Sequence, residues 1–247
     1  MFSFLKNHPF PVEAFFESSL VFTFAVPKTE VRNLVPECLS IDTFNDRWGF
    51  IAVAMVQTKD LRPKGFPRIF GNDFFLIGYR VFVRFQDEAG KSLRGLYILK
   101  SETDKRKMEF FGNLFTHYKY TTTDIAWREH DEVISISSNA SCFAISFEEP
   151  TGEPVPLPVG SPFVDWKQAR KFAGPLPCTF TADRGRDKVL IIEGVRQNWR
   201  PEPVRVIENK FSFLDDLNFS EVILANAFMI KKVPYYWKKG RIEKWTR

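Results

Sequence analysis

Ten residues, Trp48–Gln57 (WGFIAVAMVQ), set the strongest constraint on the fold. Successive side chains of a strand point to opposite faces. One set here is Trp48, Phe50, Ala52, Ala54 and Val56; the other is Ile51, Val53 and Met55, so both are apolar. A strand of this kind is covered on both faces. Phe74–Phe85 is a second long strand, with Phe75, Ile77, Tyr79, Val81, Val83 and Phe85 on one face and Leu76, Gly78, Arg80, Phe82 and Arg84 on the other. Phe suits strands, and 27 of the 247 residues are Phe. That content fits an aromatic-rich β core or an aromatic-lined cavity for a small ligand.

Other elements follow in chain order. Residues 1–17 read as a lead-in broken by Pro9 and Pro11, and Ser19–Val26 as a strand. Lys28–Val35 has helical spacing, with Thr29 as N-cap and Pro36 after its end. Ile41–Phe44 is a strand candidate turned at Asn45–Asp46, and residues 61–73 are too rich in Pro and Gly for regular structure. Leu93–Lys100 pairs back on Phe74–Phe85 as a hairpin, which puts Lys100 on the face of Leu96 and Ile98. Asp104 is placed to cap a short helix ending at Gly112, with a strand from Leu114 to Thr123. Glu132–Phe147 reads as two strands with a turn near Asn139. Ser161–Ala173 is the clearest helix, capped by Ser161 with Pro162 at its first position and stopped by Gly174 and Pro175. Strands are expected at Cys178–Ala182, Val189–Val195 and Val204–Ile207. No linker or internal repeat divides the chain, so one β-rich domain with a few helices is expected.

Net charge is +5, from 35 basic and 30 acidic residues, and much of the excess sits in the last 17 residues. Such an end can meet an acidic partner surface or form a solvated tail. No nucleic-acid motif accompanies it, so no nucleic acid is expected. Cys38, Cys142 and Cys178 have neither metal nor disulfide-framework spacing, no signal pattern opens the chain, and no apolar run reaches the ~18 residues of a membrane span. A cytoplasmic protein with no membrane partner is the expectation.

Metal chemistry lacks a motif, because His8, His117 and His130 are far apart in sequence. No metal or other cofactor is expected. A serine elbow, a phosphate loop and a dinucleotide fingerprint are also missing. Lysine chemistry remains. A desolvated lysine loses its proton more readily, and its neutral amine can attack a ketone to form a Schiff base. Lys100 and Lys119 have apolar strand contexts that suit this, or each snorkels to solvent from a strand edge. Arg80 either holds an anionic ligand group or points outward with Arg84.

The order of short motifs resembles the acetoacetate decarboxylase superfamily, and within it an uncharacterised bacterial family of decarboxylase-like proteins. The resemblance runs through AVPKTEVRNLVPECLSIDTF, RWGFIAVAMVQT, the RVFV of residues 80–83, and most densely GLYILKSETDKRKMEFFGNLFTHYKY. It continues more weakly in SPFVDWKQARKF and RQNWRPEPV, covering most of residues 19–207. It implies an α+β, mainly antiparallel β fold: one domain, residues 1–247, built as a β-barrel or cone around a cavity, with a few peripheral helices and a basic tail at 238–247. In true decarboxylases the Schiff-base lysine has a second lysine beside it, which lowers its pKa. Lys119 falls at or within one residue of that position, but its neighbours are Tyr118 and Tyr120. The earlier strand, IGYRVFV, also lacks the pocket glutamate of the decarboxylases.

These readings place a small organic, anionic ligand in the cavity near Arg80, Tyr97, His117 and Lys119. The alternatives are a Schiff-base lyase using Lys119, and an oligomeric or partner-binding protein acting through its basic C-terminus. A homo-oligomer is compatible with all three.

Overall fold

The computed structural model describes residues 4–174, 176–183 and 187–245. Pro175, the first residues of the lead-in and the last two of the basic end lie outside the described residues. The strands are β1 (Val12–Pro27), β2 (Ser40–Ile41), β3 (Trp48–Pro63), β4 (Asn72–Gln86) and β5 (Ser92–Thr103). Next come β6 (Tyr120–Thr122), β7 (Ala126–His130), β8 (Val133–Ser138), β9 (Phe143–Glu148) and β10 (Cys178–Asp183). The last are β11 (Lys188–Arg196), β12 (Glu202–Pro203), β13 (Val206–Phe211), β14 (Ile223–Trp237) and β15 (Arg241–Lys244). Four short α-helices accompany them among the described residues: α1 (Lys28–Arg32), α2 (Arg106–Phe115), α3 (Trp166–Ala173) and α4 (Ser212–Asp215).

Seven strands close a ring. β14, β1, β3, β4, β5, β10 and β11 lie side by side in that order, and β11 returns to pair with β14. All these neighbours are antiparallel except β5 and β10. A second sheet, in the order β13-β9-β8-β7, lies against the outer face of the ring. There Ile136, Ile145 and Phe147 pack with Phe22, Ile77 and Tyr79, all at or near zero exposure. Burying a side chain of this size contributes roughly 1.5–3 kcal/mol. Trp48 to Val56 is buried throughout, because one face of β3 meets this core and the other faces the ring interior.

Two devices determine how full the interior is. At one end α3 and the segment before it insert Phe163, Ala169 and Ala173 against Phe50 and Phe82. Along the middle, three inward side chains of β1 and β3 are small, namely Ser19, Ala52 and Ala54. The first device makes core and the second leaves a cavity.

Several local expectations change. Strand β1 begins at Val12, inside the segment read as a lead-in, because Val12 and Glu13 pair with both β3 and β14. Strand β3 runs on to Pro63 for the same reason. Thr29 does not cap α1; Pro27 stands at its N-cap. The turn at Asn45–Asp46 is present, with φ of 51° and 53°. Asp104 does not cap α2; its carboxylate accepts from the Phe75 backbone N–H at 2.7 Å. The helix then continues through Gly112 to Phe115, which shortens the expected strand at 114–123 to β6. Gly112 belongs inside the helix because Tyr120 packs on it, and a Cβ there would lie 2.3 Å from the tyrosine ring. Helix α3 starts later than expected, at Trp166: Asp165 caps it by accepting from Gln168 N–H, while Ser161 donates to the Ala225 carbonyl. At the basic end, Arg241–Lys244 forms β15 on the edge of β11.

Lys100 also changes face. A register shift in the β4–β5 pairing between Tyr79 and Arg80 sets Lys100 opposite Tyr79 and Ile98 opposite Arg80. Leu96 and Ile98 therefore face the ring interior, whereas Lys100 lies over the Tyr79 and Phe213 rings beneath the second sheet.

Candidate functional site

The ring interior holds a cavity of about 390 Å³ lined by residues from all seven ring strands. The N-terminal segment at His8–Phe10 and helix α2, through Met108, Phe111 and Phe115, complete its wall. Phe10 joins these two pieces by an edge-on contact with Phe115 at 5.3 Å. Of the described lining residues, twelve are aromatic and none is Asp, Glu or Lys. This composition suits an apolar ligand body with a few polar anchors.

The anchors are arginines and tyrosines. Arg80 reaches inward from β4, with its guanidinium folded over Gly78; a Cβ at Gly78 would stand 2.7 Å from Arg80 Nε. That Nε is buried and has no hydrogen-bond partner. Arg196, at the end of β11, lies over the Trp199 ring at 4.4 Å and the Tyr235 ring at 5.7 Å. Tyr235 in turn stacks on Phe16 at 4.6 Å. Such cation–π contacts fix the guanidinium plane while leaving its edge free to donate. Burial lowers the pKa of Arg196; Tyr235 opposes that shift, and Arg80 adds to it.

Tyr118 and Tyr120 enter the same space from the turn after α2. Burial raises the pKa of Tyr118 above the usual phenol range. Burial likewise pushes Tyr120 up to about 12, against the opposing charge of Arg80. Both are neutral hydroxyls at physiological pH. His8 also lines the cavity, and burial holds its pKa below the ordinary histidine value.

Arg62 makes a useful contrast. It too lines the cavity, but it forms ion pairs with Glu13 at 2.7 Å and Asp60 at 3.5 Å. Among the described residues Arg80 and Arg196 have no such carboxylate. The site is therefore a positively charged, aromatic-walled chamber with two arginines that lack a counter-ion among the described residues.

Of the four residues singled out in the sequence, Arg80 is among the lining residues. Lys119 lies between two of them but is itself exposed, with a left-handed φ of 54°. Tyr97 packs into the core on the opposite face of β5. His117 is exposed, with Nε2 3.4 Å from Asn7 Oδ1. Arg196, Trp199 and Tyr235 went unnoticed as site residues. Their signals were present in RQNW, with Arg196 three residues before Trp199, and in the aromatic run Tyr235–Trp237. No cluster of metal-ligating side chains occurs among the described residues, and no helix there is long and apolar enough to cross a membrane.

Comparison with known proteins agrees with this architecture. Residues 14–234 match the family model DUF2071, described as an uncharacterized conserved protein, and the chain belongs to that family. A sequence search of curated proteins gives no match. Among solved structures, acetoacetate decarboxylase from Legionella pneumophila superposes with a TM-score of 0.62 at 9% identity, covering 95% of this chain and 87% of that one. The enduracididine biosynthesis enzyme MppR, complexed with the condensation product of pyruvate and imidazole 4-carboxaldehyde, gives 0.57 at 10% identity, covering 96% and 90%. An acetoacetate decarboxylase-like enzyme from Sphingomonas wittichii RW1 gives 0.56 at 9% identity, covering 98% and 94%. The fold is acetoacetate decarboxylase-like.

Proposed function

We propose that this protein binds a small organic anion in the ring cavity, with Arg80 and Arg196 at the charged group and the aromatic wall around the apolar body. The observation that carries this reading is the pair of cavity arginines with no carboxylate among the described lining residues. A charge left unpaired in an apolar setting is costly, and an anionic ligand removes that cost. Hydrogen bonds to charged groups contribute roughly 1.5–3 kcal/mol each. The neutral hydroxyls of Tyr118 and Tyr120 supply further donors. The absence of carboxylates from the described wall selects against cationic ligands. The cysteine usage fits a reducing compartment, and we place the protein in the cytoplasm.

The same wall supports noncovalent binding over Schiff-base catalysis, because its described residues include no lysine. Calorimetric titration with benzoate and 3-phenylpropionate tests the reading. Saturable binding lost in Arg80→Met is expected; absence of binding by both acids and by aryl dianions as well would refute it. Borohydride treatment in the presence of keto acids tests the covalent alternative, and a reduced adduct on Lys119 would establish it instead.

A further inference from the structure

We propose that the cavity's ligand carries two negative charges on an apolar, ring-bearing body, one charge answered by Arg80 and the other by Arg196. This rests on the anion-binding reading above and specifies it. Among the described residues three arginines line the cavity, and one of them, Arg62, is neutralised by Glu13 and Asp60. The other two stand within electrostatic reach of each other, and the described wall supplies no acid to either. A monoanion leaves one of these like charges uncancelled in a low-dielectric, aromatic chamber, whereas a dianion cancels both. The remaining titratable groups facing them do not alter the count. From the turn after α2 comes the neutral hydroxyl of Tyr118, from β6 that of Tyr120, from β14 the Tyr235 ring beneath Arg196, and from the N-terminal segment the buried His8. The rings of Phe16, Tyr235 and Trp237, with centroids 4.4–5.8 Å apart, flank Arg196's side of the wall and favour a planar ligand body.

Aryl phosphate monoesters and aromatic dicarboxylates share this chemistry, and they separate in one set of titrations. Phenyl phosphate gains its second charge near pH ~6, whereas its methyl ester, methyl phenyl phosphate, remains a monoanion. Affinities for both are measured on the intact protein at about pH 5 and about pH 7.5, beside homophthalate as the dicarboxylate. Phenyl phosphate should bind roughly tenfold tighter at the higher pH, the methyl ester should change by less than about twofold, and Arg196→Met should remove the difference. The ester series also serves as the control for titration of His8. Tighter binding of homophthalate than of phenyl phosphate at the higher pH identifies the dicarboxylate source. Equal affinity for monoester and methyl ester at the higher pH, with homophthalate no tighter than benzoate, overturns the proposal and leaves the anion reading standing. Failure of benzoate and every other anion to bind removes the anion reading itself.

Discussion

The two faces of the β4–β5 hairpin hold their cations in opposite ways. Beneath the second sheet, Lys100 meets Glu102 at 2.8 Å, and Glu102 also accepts from the Ser141 hydroxyl. Glu102 is 1% exposed and Lys100 is half-buried, so the carboxylate is internal and answered from within the chain. On the cavity face, Arg80 lies over Gly78 with no carboxylate among the described residues. The same two strands thus carry a cation paired with a carboxylate of its own chain, which helps dock one sheet on another, and a cation left for a ligand. A cation paired by its own protein reads as architecture, and one left without a counter-ion in a cavity reads as a site.

Substitutions on the two faces should separate stability from binding. Lys100→Met strands the Glu102 carboxylate and should cost about 3 kcal/mol or more in urea-unfolding free energy, most of it recovered in the double variant Lys100→Met/Glu102→Leu. A loss shared equally with Arg80→Met would erase the contrast. Arg80→Met should instead leave the unfolding midpoint unchanged or higher while weakening anion binding by about 1.5–3 kcal/mol in calorimetry. Gly78→Ala sharpens the point. Its Cβ would crowd the Arg80 guanidinium, a flexible group that can move aside, so binding should fall by about 1 kcal/mol with a smaller effect on stability.

Acid should act on the sheet-docking face. Hydrogen bonds from Ser138 first, and then from the Ala140 and Asn139 backbone, hold Asp124 down at about 2 against a usual 3.8. A carboxyl with a depressed folded pKa stabilises fully above its unfolded value and loses that contribution as pH falls through the folded one. The turn carrying Ser141 should therefore weaken between about pH 4 and pH 2, and Asp124→Asn should flatten stability across that window. The smallest effect is expected at exposed Lys119: Lys119→Ala should change stability by no more than about 0.5 kcal/mol and leave ligand affinity unaltered.

How far the sequence foretold this depends on the range of the interactions involved. The alternation in β3 and β4 and the hairpin with β5 are local, and they were legible. So was the ring-like class of fold, through the order of short motifs. In the sequence Ala52 and Ala54 are only members of an apolar face, and ring closure is what turns them toward a cavity. Alternation puts Lys100 on the face of Leu96 and Ile98, but one register shift turns it to the other face, and alternation alone contains no sign of the shift. Helix α2 was cut short because Gly112 looks like a terminator until Tyr120 is seen packed against it. Arg196 and Arg80 are brought together by the closing of β11 on β14, a contact between segments remote from β4 in sequence.

That closure also imposes an order of events on the chain. Strand β1 lies between β3 and β14, so Val12 stands opposite Trp237, and the first long strand must wait for nearly the last. Contacts of such separation form late because a long loop must be closed before they stabilise anything. During synthesis, β1, β3, β4 and β5 can assemble while the partner edge of β1 remains bare. A chain stopped short of β14 would keep its cavity wall open and expose an apolar strand edge to other molecules. Strand β14 therefore acts as the clasp of the ring: until it arrives, neither the chamber nor the joint placement of Arg80 and Arg196 exists.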